Sequence, residues 1–173
     1  ERLRGLGGRR LIATCFLIVC FLSAGLTVAR ECVSDYSAYD TADLAVAEFV
    51  KAETPAQSVF LTGNQHLNPV ASLAGRTILC GSDLYLYYHG FNTTARKAEV
   101  RDFYEFPREN LDLLVKYGVQ YIYVSPSERY NYDIDEGALR ELFTVVYDEG
   151  SRLVLEVDAS YRADPALDPA SEG

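Results

Sequence analysis

Leu114-Val115-Lys116-Tyr117-Gly118-Val119-Gln120-Tyr121-Ile122-Tyr123-Val124 is the stretch on which the fold turns. Its first residues finish a helical pattern that begins at Pro107, with Leu111, Leu114 and Val115 on one face and Lys116 near the negative end of the helix dipole. Gly118 stands where a left-handed cap belongs. A run of strand formers follows at once, and a helix, one glycine and a strand in direct succession predict a βαβ layout with a parallel sheet. Upstream, Asp40 or Thr41 caps a helix in which Ala42, Val46, Phe49 and Val50 share a face, and Thr54-Pro55 ends it because the residue before proline avoids the α region. Residues 58–62 and 76–80 read as short strands, and between them Asn68-Pro69 opens a short helix closed by Gly75. Residues 83–92 (DLYLYYHGFN) are aromatic-rich and less regular, and Thr93 or Thr94 caps a charged helix to about Tyr104. Downstream, Asp135 caps one more helix, and residues 144–147 and 153–157 flank Asp148-Glu149-Gly150-Ser151 as a hairpin.

The N-terminal part obeys a different rule. Residues 11–29 (LIATCFLIVCFLSAGLTVA) hold no charge over 19 positions. As a helix rising about 1.5 Å per residue they reach roughly 28 Å, close to the ~30 Å hydrocarbon thickness of a bilayer. Hydroxyls of Thr14, Ser23 and Thr27 cost little there, because they fold back onto carbonyls of their own helix. Four Arg precede the run and Arg30 follows it, so the positive-inside rule places residues 1–10 in the cytoplasm and residues 31–173 outside. A cleaved signal peptide shares the basic start, and Thr27-Val28-Ala29 suits cleavage, yet its apolar region covers only about 7–15 residues. A core helix of a soluble protein is the remaining alternative. The reading divides the chain into a cytoplasmic basic flank (1–10), a transmembrane helix (11–29), a stalk (30–40), an extracytoplasmic α/β domain (41–157) and a disordered acidic tail (158–173).

Charge follows the same division. The chain has 173 residues, 49% hydrophobic, with 16 Lys+Arg against 25 Asp+Glu and a formal charge of −9. Residues 1–30 hold five Arg and one acid, +4, which leaves 11 bases and 24 acids, −13, for the rest. An acidic exported domain excludes nucleic acid as a partner, since phosphate recognition needs clustered Lys and Arg. With no Met at all, the sequence is expected to begin inside a longer polypeptide.

No familiar catalytic signature is present: no G-x-S-x-G, H-E-x-x-H, P-loop or C-x-x-C. His66 and His89 stand 23 residues apart without acids or Cys at ligand spacing, so neither a metal nor another cofactor is expected. Cys15 and Cys20 are small apolar residues of the membrane run, while Cys32 and Cys80 are available for one disulfide in an oxidising compartment. Tyrosines 85, 87, 88, 121, 123, 130 and 132 serve either as core or as platforms for sugar rings, and the alternation of Tyr121 and Tyr123 favours core. The candidate ligand residues are Arg76, Tyr88, His89, Arg96, Glu128 and Arg129. A guanidinium forks onto phosphate, which suits a lipid-linked phosphate near a membrane, and the solvated helix face is the plainer use of the same residue. His89-Gly90 reads as a tight turn, and Asn92-Thr93-Thr94 matches the N-glycosylation acceptor.

Taken in order, these pieces form a recognisable series: the apolar helix, Phe49-Val50, Thr54-Pro55, Val59-Phe60-Leu61-Thr62, Ala74-Gly75-Arg76, Tyr88-His89-Gly90, Arg96, the run from Leu114 to Val124, Glu128-Arg129 and the hairpin. The series resembles the C-terminal end of multi-spanning GT-C-type membrane glycosyltransferases, the bacterial and archaeal proteins related to dolichyl-phosphate-mannose-type mannosyltransferases. It covers about residues 11–157. The resemblance implies a parent that moves a sugar from a polyprenyl-phosphate carrier to an acceptor on the outer membrane face, with its catalytic carboxylate in the first extracytoplasmic loop. That loop is not in this sequence, so no catalytic residue is carried over, and Arg76, His89 and Arg96 match the pattern only as ligand positions. Membrane lipid and the polyprenyl-phosphate sugar are the implied partners. The alternative is a single-pass protein with an outer ligand- or protein-binding domain. The fold class expected is α/β: one transmembrane helix, then a small three-layer-like domain of three or four mostly parallel strands with a C-terminal hairpin.

Overall fold

A computed structural model describes residues 2–34 and 36–161. The chain divides into two compact units, the first ending at Ser37 and the second starting at Ala38. The first unit is helix α1 (Arg2–Val33), which extends past the predicted run at both ends and through the first residues read as stalk. Within it, Gly7–Val33 is long and apolar enough to cross a membrane, with no part of its most apolar window buried. The Thr27 hydroxyl donates to the Ser23 carbonyl at 3.0 Å, the fold-back expected of a hydroxyl in lipid.

The second unit is built on a five-stranded sheet of order β2-β1-β3-β5-β4. Its strands are β1 (Val59–Leu61), β2 (Thr77–Ile78), β3 (Tyr121–Val124), β4 (Thr144–Glu149) and β5 (Arg152–Glu156). β1 pairs with β2 and with β3 in parallel, whereas β5 pairs antiparallel with β3 and with β4. The sheet is therefore mixed rather than mostly parallel. The hairpin is the reason: Leu153, Val154 and Leu155 are apolar on both faces, so β5 is an interior strand and must lie against β3. Between β4 and β5, Gly150 (φ 57°) and Ser151 (φ 63°) form the left-handed pair that a two-residue primed hairpin turn requires.

Helices cover both faces of the sheet. On one side α2 (Thr41–Glu53) and α3 (Pro69–Ser72) lay Val46, Val50 and Val70 over Phe60, Tyr121, Tyr123 and Val154. On the other, α5 (Thr94–Glu105), α6 (Asp112–Tyr117) and α8 (Glu136–Leu142) contribute Val100, Phe103, Leu113, Leu114 and Leu139 against Leu61, Ile122, Val124 and Leu155. The alternation of Tyr121 and Tyr123 thus assigns a face inside a fully buried strand, not a half-solvated one.

Helix α6 starts at Asp112, not at Pro107. The Asn110 amide donates to the carbonyls of Asp102 and Phe106 at 3.1 and 2.9 Å, closing the end of α5 and holding residues 107–109 in a turn. Its buried face is Leu113 and Leu114, while Val115 is 41% exposed, one position off the predicted stripe. Gly118 has the left-handed φ of 61° expected of the cap. α4 (Asp83–Tyr88) and α7 (Pro126–Asn131) are short helices absent from the sequence reading. The tail read as disordered begins with a 3-10 turn, Ala159–Tyr161, whose Tyr161 ring meets Phe143 edge-on at 6.0 Å. The rest of that tail lies outside the described residues.

Candidate functional site

The topology locates a site before any side chain is considered. The chain leaves β1 for β2 on one side and returns to β3 on the other, so the strand order reverses between β1 and β3. In open α/β sheets the crevice at the carboxyl ends of the strands flanking such a reversal is where ligands bind. Here that edge is made by Thr62-Gly63-Asn64 after β1, Gly81-Ser82 after β2 and Ser125-Pro126 after β3.

Buried polar groups hold this edge rigid. Ser125-Pro126-Ser127-Glu128 is a capping box with proline at the first helical position of α7, and Glu128 is fully buried. Gly63 N–H donates to Glu128 Oε1 at 2.9 Å and Ser125 N–H to Oε2 at 3.0 Å, with the Ser125 hydroxyl also on Oε2. One carboxyl group thereby ties the exits of β1 and β3. Burial pushes its pKa up, against the pull of the Ser125 hydroxyl and the backbone donors. Gly63 is required by close approach, because a Cβ there would sit 3.0 Å from Glu128 Oε1 and 3.4 Å from Tyr132 Cε2. A second tie comes from α5, where the buried Tyr104 hydroxyl donates to the Tyr123 carbonyl at 2.6 Å and lies 3.3 Å from that of Leu61. The Tyr123 hydroxyl and the Asn68 amide nitrogen are buried without a hydrogen-bond partner among the described residues.

Two hollows flank the loop that leaves β1. Toward β3, a hollow of about 440 Å³ is lined by His66, Ser125, Ser127, Asp43 and Arg152. The Arg152 guanidinium, whose side chain is 9% exposed, donates to Asp43 and Asp40 at 3.0 and 2.9 Å and to the Gly150 carbonyl at 3.1 Å. Asp40 and Asp43 form the capping box of α2, so Arg152 joins that helix start to β5. Toward β2, an open cleft of about 740 Å³ is lined by residues that include Asn64, Asp83, Tyr87, Phe91, Thr93 and Lys97. Lys97 pairs with Asp83 at 2.6 Å and the Thr93 hydroxyl bonds the same carboxylate, which holds the Asp83 pKa below the usual range.

The candidate residues named from sequence do not converge. Arg76 caps the end of α2: its guanidinium donates to the carbonyls of Val50, Lys51 and Thr54 at 3.2, 3.0 and 2.8 Å, to the Thr54 hydroxyl and to the Ala74 carbonyl. Arg129 grips the Glu136 carboxylate and donates to the Ser151 carbonyl at 2.6 Å. Arg96 lies over the Tyr117 ring at 5.0 Å, with the Leu79 carbonyl 3.5 Å from Nη1. Glu128 is the tie just described. Tyr88 and His89 are exposed at the end of α4, beside the larger cleft. There the turn read from His89-Gly90 is a Schellman motif: Gly90 (φ 81°) donates to the Tyr87 carbonyl at 3.0 Å and Phe91 to that of Leu86 at 2.9 Å.

Asp83, Lys97, Tyr104 and Arg152 were not singled out from sequence. Arg152, a charge opening an otherwise apolar strand, carried a signal for a buried acidic partner. Asp83 and Lys97 stand 14 residues apart on different helices, a spacing with no local meaning. Cys80 is buried and Cys32 exposed, both as free thiols. Among the described residues no group of three His, Cys, Asp or Glu is placed to hold a metal ion.

No family model and no curated protein matches the chain. Among solved structures it is similar to the crystal structure of the C-terminal globular domain of an oligosaccharyltransferase from Archaeoglobus fulgidus, with a TM-score of 0.45 and 14% identity over 69% of this chain and 99% of that one.

Proposed function

We propose that this chain is the last membrane span and the extracytoplasmic domain of a GT-C-like membrane glycosyltransferase that draws on a polyprenyl-phosphate-linked sugar. The domain covers the reaction face or holds acceptor or carrier, and does not catalyse transfer by itself. In this reading residues 1–10 are cytoplasmic, the second unit lies outside, and lipid and the carrier are its partners while nucleic acid is not. The observation that carries the proposal is positional. Residues 117–124, the most telling part of the family resemblance, form the Gly118 cap and strand β3, which borders the strand-order reversal and whose exit, Ser125-Pro126, lines the smaller hollow. The chemistry such a parent would need from this domain is binding, and the carboxyl edge at a strand-order reversal is where open α/β sheets bind ligands.

The test is a topology reporter fused after Val157 in the natural full-length protein, together with sugar transfer by its membranes from a polyprenyl-phosphate donor. An extracytoplasmic reporter and transfer that disappears when residues 41–157 are deleted are expected. A cytoplasmic reporter overturns the proposal. A second reading, a single-pass protein with an outer ligand-binding domain, is favoured by one fact: the larger cleft is lined entirely by the second unit. A natural gene encoding no further apolar span decides for it.

A further inference from the structure

The larger cleft is unlike the rest of the surface. Helix α4 has no buried residue, yet it consists largely of Leu and Tyr, and Tyr87 and Phe91 are 72% and 63% exposed. Large aromatic groups left in water at the mouth of a hollow are not core positions. Their backbone positions are fixed, because the Schellman motif bonds the Phe91 N–H back onto the turn that carries Tyr87. Polar residues share the lining: Asn64 from the β1 exit, Thr93, and the Asp83–Lys97 pair, with Asp83 one turn before Tyr87 on α4. The cleft of about 740 Å³ falls within the size of small-molecule sites, about 300–1,000 Å³.

The chemistry of that lining selects a ligand class. Its one cation and one anion neutralise each other at 2.6 Å, so neither a phosphate nor an ammonium group finds an uncompensated charge. What remains is a set of hydroxyl-matching donors and acceptors beside two aromatic rings, whose negative quadrupole suits weakly polarised C–H groups. We infer that this cleft binds a neutral saccharide, stacked by a ring face on Tyr87 or Phe91 and hydrogen-bonded by its hydroxyls to Asn64, Thr93 and the Asp83–Lys97 pair. A bilayer surface is the competing occupant for exposed Leu and Tyr. Interfacial helices carry Lys and Arg on their polar face, whereas residues 83–93 contain neither and include Asp83. The inference deepens the transferase reading, on which it rests for its biological sense.

The test uses the 173-residue chain in phosphatidylcholine nanodiscs, with saturation-transfer NMR to maltose, mannobiose and chitobiose. Saturation of ring C–H protons of at least one disaccharide is expected, reduced at least fivefold by Tyr87→Ala and by Phe91→Ala. Because both side chains face water, the variants keep the parent melting temperature within about 2 °C. Absence of transfer to all three sugars, or transfer that survives in the double variant, overturns the inference. So does broadening of the Tyr87 and Phe91 ring signals by a headgroup-bound paramagnetic lipid, which assigns them to the bilayer. Saccharide binding with a cytoplasmic reporter refutes the transferase reading and leaves the cleft assignment standing; no saccharide binding with an extracytoplasmic reporter does the reverse.

Discussion

Glu128→Gln separates the two things that the buried carboxyl does. In the parent, Oε1 accepts from Gly63 and Oε2 accepts the Ser125 N–H and touches the Ser125 hydroxyl. Burial raises its pKa against the Ser125 hydroxyl that donates to Oε2, and the carboxyl oxygens accept both backbone N–H groups. Glutamine keeps the shape, but its NH₂ group in place of Oε2 faces the Ser125 N–H and leaves that buried donor unsatisfied. The cost of one orphaned donor is about 1–3 kcal/mol. At about 4 °C per kcal/mol for a domain of this size, the melting temperature falls by roughly 4–12 °C. Tyr36 is the one tyrosine of the first unit among 13 in the chain, so near-ultraviolet circular dichroism of the tyrosines in detergent follows chiefly the second unit. The pH dependence of the gap between parent and variant is the sharper reading. A folded pKa raised above the ordinary 4.5 means that the parent is most stable below that pH and loses the contribution as pH rises through the folded value. The gap therefore narrows with rising pH. A variant melting within about 1 °C of the parent, or a gap that widens toward alkaline pH, refutes the argument.

Four further outcomes follow from the same contacts. Gly63→Ala puts a methyl group 3.0 Å from Glu128 Oε1 and destabilises by about 1–3 kcal/mol in the same melt, and its effect combines with Glu128→Gln to less than the sum. Arg76→Ala leaves the last carbonyls of α2 without their guanidinium and costs about 1–3 kcal/mol, with only partial recovery in Arg76→Lys because one ammonium cannot span the same acceptors; full recovery would contradict the capping role. Arg152→Leu removes the guanidinium that joins Asp40 and Asp43 at the start of α2 to β5 and, because the Asp40 carboxylate is solvated, lowers stability by about 1 kcal/mol, measured by reactivity of the buried Cys80 thiol as the domain opens; unchanged reactivity would count against it. Ile18→Arg in the middle of the apolar helix adds about 2.5–3.5 kcal/mol to insertion and moves protein out of the carbonate-washed membrane fraction, whereas undiminished retention would exclude α1 as the span.

Local signals carried the fold where they were enough. Gly118 after an apolar helix face, proline at the start of a helix, and a Gly-Ser turn between apolar strands each have one physical meaning wherever they occur. The sheet could not be read to the same depth. Whether β5 pairs in parallel or antiparallel is decided by which strand has an open edge, and residues 153–155 record only that both of its faces are dry. The candidate site divides the same way. Glu128 was named only as a candidate ligand residue beside Arg129, and its partner Gly63 lies 65 residues away, where nothing announces a carboxyl group. Arg76 and Arg129 looked like anion binders because a guanidinium is the same group whether it meets a phosphate or a helix end. Only the fold shows that both are spent on carbonyls and an internal acid.

The two margins of the sheet are unequal in a useful way. One is β2, only two residues long, and the other is β4, interrupted by an irregularity between Val145 and Tyr147 and ending in Asp148 and Glu149. A neighbouring copy seeking to extend the sheet would find one border too brief to zip onto and the other kinked and repulsive. Such borders keep each copy from seeding a fibre with the next.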